Sequence, residues 1–142
     1  MRAALIAVFN SALVANGAFM LALPLAWYGI VPGVTETGPF NPHFIRDIGG
    51  AYIVSGAALL WFQLDRRARP AAIAGAAFLA LHAAVHFWDA AAGRETLRQL
   101  LIDLPTVVLP GLLILKVARL RSLFSAEDRH VEMADAATSR RV

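Results

Sequence analysis

Residues 70–93 read PAAIAGAAFLALHAAVHFWDAAAG, an apolar stretch that is long enough to cross a bilayer and yet contains three ionisable side chains. His82, His86 and Asp89 are separated by four and three residues, so on an α-helix they lie on one face. An ionisable group inside a membrane segment is costly and by default indicates a functional site. The stretch therefore predicts a membrane protein, and its ionisable face predicts the location of a functional site.

The rest of the chain has the same membrane character. Of its 142 residues, 58% are hydrophobic and 16% are charged, against about 45–50% and about 25% in soluble domains. The additional apolar residues are concentrated in long runs, which predict transmembrane helices at about 3–31, 42–64, 71–90 and 96–118. Residues 1–120 are thus predicted to form one all-α domain, a four-transmembrane-helix bundle with up-down-up-down topology, followed by a polar tail at 121–142 that is partly disordered.

The first run is too long for the core of a signal peptide, so we expect it to be a retained helix, kinked by Pro24 near its outer end. The net charge of +3 does not indicate nucleic-acid binding, because the arginines stand at the ends of apolar runs and form no basic stripe. Positive residues concentrate at Arg2, 66–69 and 116–121, and this asymmetry predicts cytoplasmic N and C termini. The absence of cysteine excludes disulfides, thiolate nucleophiles and Cys-ligated metal centres.

This topology places ionisable residues of three segments in the outer half of the bundle. His82 is near mid-membrane and His86 lies further out, while the second helix begins at the outer side. Asp103 stands near the start of the fourth helix, where we interpret it as a helix-start cap. The second helix contributes His43, Arg46 and Asp47 to this outer half. We expect the ionisable residues of the three segments to converge there.

Two functional hypotheses follow from this convergence. In the first, a quinone or lipid-like ligand enters from the bilayer and binds a pocket in which Arg46 takes an anionic or carbonyl group and His–Asp pairs act as acid, base or hydrogen-bond partners. The ligand-binding residues are then Arg46, Asp47, Tyr52, His82 and His86.

The second hypothesis is a transition-metal site, because imidazole and carboxylate groups suit Zn, Fe or Mn. Its ligands are drawn from His43, Asp47, His82, His86 and Asp89. Haem is disfavoured, since His82 and His86 share one helix and cannot clamp opposite faces of the same haem.

A structural interpretation competes with both. Arg46 would pair with Asp89 or Asp103, and His82 would hydrogen-bond to Asn16 or to a backbone carbonyl. The cluster would then only fix the register of the helices, in a medium that offers little hydrophobic drive for their association.

The second helix also carries a family resemblance. Residues 41–56, NPHFIRDIGGAYIVSG, resemble a motif of small DoxX-like bacterial membrane proteins through their ordered Asn, Phe, Arg, Gly, Tyr and Gly. The resemblance implies a multi-pass four-helix bundle in the bacterial inner (plasma) membrane. DoxX-like relatives are linked to quinone or thiosulfate redox complexes as small membrane subunits, but the resemblance implies no settled activity. No thiol chemistry carries over to a chain without cysteine.

Together these observations predict an accessory subunit or small-ligand-binding protein of the lipid bilayer, acting as a homo-oligomer or within a larger membrane complex. The alternative is a membrane enzyme or redox subunit with a metal site on His82, His86 and Asp89. Whether the chain is an enzyme stays open at this point.

Overall fold

The computed structural model describes residues 2–94 and 96–104, together with the single residues 107 and 109. These residues are all-helical and include no strand, which confirms the predicted all-α class. Two short 3-10 turns, Val34–Glu36 and Arg66–Ala68, lie in the connections. The five α-helices are α1 (Arg2–Ala22), α2 (Pro24–Ile30), α3 (Pro42–Leu64), α4 (Arg69–Ala91) and α5 (Leu97–Asp103).

Three helical segments are long and apolar enough to cross a membrane: Ala3–Ala22, Pro42–Leu64 and Arg66–Ala91. Large apolar side chains stand exposed along them, as expected of helices whose outer faces meet lipid. Examples are Leu5, Val8, Val54, Leu81 and Val85. These are features of an integral membrane protein. Most of the predicted fourth helix (96–118) and the whole tail (121–142) lie outside the described residues.

The first apolar run is broken into two helices, where the sequence predicted one kinked helix over 3–31. Pro24 has no N–H to donate to the preceding turn, so α1 ends at Ala22 and α2 restarts with Pro24 in its first turn. Trp27 Nε1 then donates to Asn16 Oδ1 at 2.9 Å. A straight helix would separate these two residues by roughly 16 Å along its axis. The bond therefore requires that α2 bends back toward α1.

The helix α3 covers the range predicted for it, because strong local signals mark both of its ends. Asn41 Oδ1 accepts hydrogen bonds from the backbone N–H groups of His43 and Phe44, both at 3.1 Å, and Pro42 occupies the first turn. At the other end Asp65 is extended, and its side chain caps the turn that leads to α4.

Glycines bring α1 and α3 into backbone contact. A Cβ atom on Gly17 would collide with the Gly49 carbonyl oxygen, and one on Gly56 would lie 2.9 Å from the Asn10 carbonyl oxygen. Gln63, at the far end of α3, donates to the Ala3 carbonyl at 2.7 Å. Residue numbers fall along α1 as they rise along α3, so the two helices are antiparallel and share a tight, small-residue interface.

The opposite flank of α3 packs antiparallel against α4. Gly75 lies against the backbone of Ser55, so that a Cβ there would approach Ser55 Cα to 2.9 Å. Further along, Tyr52 faces Phe78 with ring centroids 5.9 Å apart. The helices α1 and α4 make no mutual contact within the described residues. The helix α3 is therefore the centre of the described fold and the most buried of its three spans.

Candidate functional site

A polar cluster is centred on α4, which packs against α3 and against α5. The helix α4 contributes two histidines from one stripe, since their spacing of four residues is close to one helical turn. The cluster comprises Tyr52 from α3, His82 and His86 from α4, and Gln99 and Asp103 from α5. It joins the end of α4 to the short helix that follows it.

The strongest contact in the cluster is between His86 and Asp103. His86 Nδ1 lies 3.0 Å from Asp103 Oδ2, and the two side chains are only 16% and 8% exposed. When the carboxyl group is ionised it only accepts hydrogen bonds, and Nδ1 of the imidazole then carries the donated proton. A contact of this kind fixes the tautomer and the orientation of the ring.

Gln99 supports the carboxylate from within α5. Its Nε2 donates to Asp103 Oδ1 at 3.1 Å, so each carboxylate oxygen accepts a hydrogen bond. The amide also rests directly on Gly33, in the connection between α2 and α3, at the place where a Cβ atom would be. Gly33 has a φ of +84°, which favours glycine, and its missing side chain makes room for the amide. The oxygen of the same amide, Gln99 Oε1, is buried and has no hydrogen-bond partner in the described part of the chain.

The imidazole of His82 is enclosed by rings. Phe78 stacks on it with an interplanar angle of 15°, Tyr52 meets it edge-on, and His86 lies edge-on with a centroid separation of 5.0 Å. The cluster therefore links an aromatic layer, an imidazole pair and a buried carboxylate in one continuous arrangement.

The local structure of α5 bears on the role expected for Asp103. The cap of α5 is Thr96, whose Oγ1 accepts from the Gln99 N–H at 3.2 Å, whereas Asp103 is the last residue of the helix. Asp103 therefore does not cap the start of α5, and the helix start that it was predicted to cap, after residue 103, lies mostly outside the described residues. Its carboxylate instead reaches across to α4 and binds His86.

The other predicted site residues lie apart from the cluster. His43 and Asp47 pair with each other at 3.4 Å on an exposed face of α3, where their side chains are 89% and 63% exposed. Arg46 Nε donates to the Leu21 carbonyl at 3.3 Å, on the α1 side of α3. Arg46 and Tyr52 are roughly 120° apart around that helix. The structure thus brings Tyr52, His82 and His86 together. The charged residues in the first turns of α3 do not contact this group.

The pairings expected under the structural interpretation are also different. Asp89 binds Arg94 Nε at 2.8 Å instead of Arg46. Asn16 accepts from Trp27, on the far side of α3 from His82. The described residues include no group of three or more His, Asp or Glu side chains placed to hold one metal ion. The five proposed ligands fall instead into separate pairs: His43 with Asp47, Asp89 with Arg94, and the adjacent rings of His82 and His86.

An apolar groove of about 440 Å³ runs between α3 and α4, and Phe78 is among its lining residues. Small residues form its walls, among them Gly50, Ala51 and Gly75, and Val54 stands exposed beside it. Phe78 belongs to both features, because it lines the groove and stacks on His82. A lipid-soluble molecule in this groove would contact Phe78, the ring that stacks on His82.

Sequence reasoning overlooked Gln99 and Phe78. The spacing of four residues between Gln99 and Asp103 puts both on one face of a helix, which is a usable signal. For Phe78 the signal is its place on the stripe of α4 that carries His82 and His86, four residues before His82.

Comparison with known proteins assigns no family to this arrangement, since no family model, no curated protein and no solved structure matches the chain.

Proposed function

We propose that the chain is a multi-pass protein that binds a small, lipid-soluble ligand at the polar cluster, as an accessory subunit or as a ligand-binding protein in its own right. The observation that carries this proposal is the buried His86–Asp103 pair beside the enclosed imidazole of His82. Ionisable groups at membrane depth are rare, and those that occur usually line pockets or paths. A pair spanning two helices, with Gln99 as support, has the organisation of a built site.

The chemistry of the cluster favours a ligand with a carbonyl or similar hydrogen-bonding head. Tyr52 and His82 supply a hydroxyl and a ring nitrogen, and the His86–Asp103 pair can take up or release a proton near such a head group. The groove toward Gly75 accommodates an apolar tail. A quinone or another lipid-like carbonyl compound combines these two properties.

The surroundings that we propose for this site are those of a small DoxX-like protein of the bacterial inner membrane. A fourth helix over 96–118 would complete an up-down-up-down bundle whose first three passes correspond to α1, α3 and α4. The arginines at 66–69 support a cytoplasmic position for the α3–α4 turn, and hence for both termini. The bundle would act as a homo-oligomer or within a larger membrane complex.

A binding titration tests the proposal. The full chain, purified in mild detergent, is titrated calorimetrically with a short-tailed benzoquinone. We expect saturable binding that His82→Leu or Asp103→Asn weakens at least about tenfold, which corresponds to about 1.4 kcal/mol. His43→Ala is the matched control, because it removes an exposed imidazole outside the cluster, and its affinity should equal that of the wild type.

The two cluster variants protect the test against a trivial loss of folding. Asp103→Asn keeps the volume of the side chain, and thermal unfolding of each variant shows whether the bundle is intact. Equal binding by wild type and His82→Leu would overturn the assignment of the site, and no binding by the wild type would overturn the quinone class. Stoichiometric metal that is lost in His82→Leu would replace the proposal with the metal-dependent enzyme or redox subunit.

A further inference from the structure

A second concave site lies at the opposite end of α4 from the polar cluster. It is a cavity of about 240 Å³ in the turn between α3 and α4, lined by Phe62, Arg66, Arg67 and Arg69. This turn joins two helices that are long and apolar enough to cross a membrane, and a turn between two such spans would lie at the membrane–water interface. Arg69 is roughly 25 Å from His86 along the helix axis, so the two sites are separate.

The arginines of this cavity are positioned but lack a counter-charge. The Arg66 guanidinium lies over the Phe62 ring, 5.0 Å from its centroid, in a cation–π contact. Arg69 Nε is buried and has no hydrogen-bond partner in the described residues. A charged group without a counter-charge is unfavourable, and Arg69 lines the cavity together with Arg66 and Arg67.

The nearest acidic residue is already engaged. Asp65 Oδ1 accepts the backbone N–H of Arg67 at 2.9 Å and so shapes the turn. Within the described part of the chain, the arginines of the cavity form no ion pair. Three guanidinium groups against one carboxylate leave a net positive charge at the cavity.

The start of α4 adds to this positive potential. The helix has 23 residues, begins with Arg69 and Pro70, and has no side-chain cap at Ala68. The first N–H groups of a helix carry a partial positive charge and attract anions. This feature alone makes no site, but here it coincides with the arginine cavity.

We propose that this cavity binds the phosphate group of an anionic membrane phospholipid. Guanidinium groups bind phosphate oxygens in a bidentate manner, and three of them line this cavity. Phe62 is buried and holds the Arg66 guanidinium over its ring. The position at the interface favours a lipid over free phosphate, because a lipid head group is held there by its own chains, and basic pockets between membrane helices bind such head groups.

Native mass spectrometry of the full chain tests this site. The protein is released from micelles that contain equal amounts of phosphatidylglycerol and phosphatidylcholine, and the retained lipids are counted. We expect selective retention of phosphatidylglycerol, lowered about fivefold by Arg66→Gln and by Arg69→Gln, since each arginine near the surface contributes about 1 kcal/mol. Arg98→Gln is the control: it removes the same charge from an exposed position on α5 and should retain the lipid as the wild type does.

Three results would overturn the proposal. Equal loss in Arg98→Gln would show that overall charge attracts the lipid, without a site. Equal retention of the two lipids would exclude recognition of an anionic head group. Displacement of the lipid by millimolar inorganic phosphate, with the same thermal stabilisation, would make free phosphate the ligand. Arg66 is exposed, so its variant gives a valid result even if Arg69→Gln disturbs the fold.

Discussion

The two flanks of α3 form interfaces of different kinds. Toward α1 the contact is made by glycines, and the backbones at Gly17 and Gly49 touch without a side chain between them. Toward α4 the contact passes from the close approach of Gly75 to a layer of rings, where Tyr52 meets Phe78 and His82. At its closest points the α1–α3 interface is a backbone contact at glycines, whereas the α3–α4 interface includes a layer of aromatic side chains.

This difference separates stability from chemistry. Backbones in direct contact leave no space for a ligand, so the α1 flank can only hold α3 in place. The α4 flank has a groove lined mostly by small residues, and a polar cluster that Phe78 joins to it. Substitutions on the α1 flank should therefore act mainly on stability, and those on the α4 flank mainly on binding.

The largest effect is expected from a single methyl group on the α1 flank. A Cβ at Gly49 would lie 2.7 Å from Met20 Cβ and 2.9 Å from the Gly17 carbonyl oxygen, whereas one at the neighbouring Gly50 meets nothing within 4 Å. Gly49→Ala should lower the free energy of unfolding by about 1–3 kcal/mol through overpacking. Gly50→Ala should leave it unchanged or raise it by up to about 1 kcal/mol, through helix propensity. Unfolding in detergent measures both, and equal values would show that the α1–α3 contact is looser than described.

A second comparison uses two pairs of the same residue types. The His86–Asp103 pair is buried and joins two helices, while the His43–Asp47 pair is exposed within one helix. A double-mutant cycle to alanine should give a coupling energy of about 1–2 kcal/mol for the first pair. The exposed pair should give about 0.3–0.5 kcal/mol. Equal couplings would remove the distinction between the cluster and the surface.

The third prediction concerns the glycine beneath Gln99. Gly33 and Gly93 both have positive φ values, +84° and +71°, but only at Gly33 would a Cβ meet another residue. Alanine at either position carries the same backbone penalty of roughly 1 kcal/mol. Gly33→Ala should in addition displace the Gln99 amide from Asp103 and weaken benzoquinone binding several-fold, by about 1 kcal/mol. Gly93→Ala should bind normally, and identical binding by the two variants would show that Gln99 does not support the site.

The smallest effect is expected for Arg46→Ala. Its guanidinium contacts only the end of α1 among the described residues, through one exposed 3.3 Å hydrogen bond to the Leu21 carbonyl. The loss of stability should therefore be below about 1 kcal/mol, and benzoquinone affinity should stay within about twofold of the wild type. A strong loss of benzoquinone affinity would show that Arg46 belongs to the ligand-binding site.

Local signals made much of the fold predictable. The cap at Asn41 and the proline after it define the start of α3, and the spacing of His82 and His86 defines their common face. The break at Leu23 follows from Pro24, although the return of α2 toward Asn16 depends on a tertiary bond from Trp27. Each of these features is decided within a few residues of chain.

The site was less predictable, because it depends on how each helix is turned about its axis. Residues at the same end of a bundle meet only if their helices face one another. Gly49 and Gly56 turn one side of α3 toward α1, and Tyr52 lies within about 60° of them around the helix, yet its ring contacts Phe78 and His82 of α4. His43 and Asp47 remain on an exposed face. The spacing of residues in the sequence does not predict the contact between Asp103 and His86, because it depends on the direction in which α5 leaves the α4–α5 turn.

The sequential contacts of the helices also determine an order of assembly. Each membrane-crossing helix packs against the next one along the chain, and α1 and α4 do not touch within the described residues. A nascent chain can therefore complete the α1–α3 hairpin, and then add α4, while later segments are still being synthesised. Such local connectivity favours rapid folding. Asp103 follows His86 along the chain, so the contact between them can form only after α5 has been synthesised.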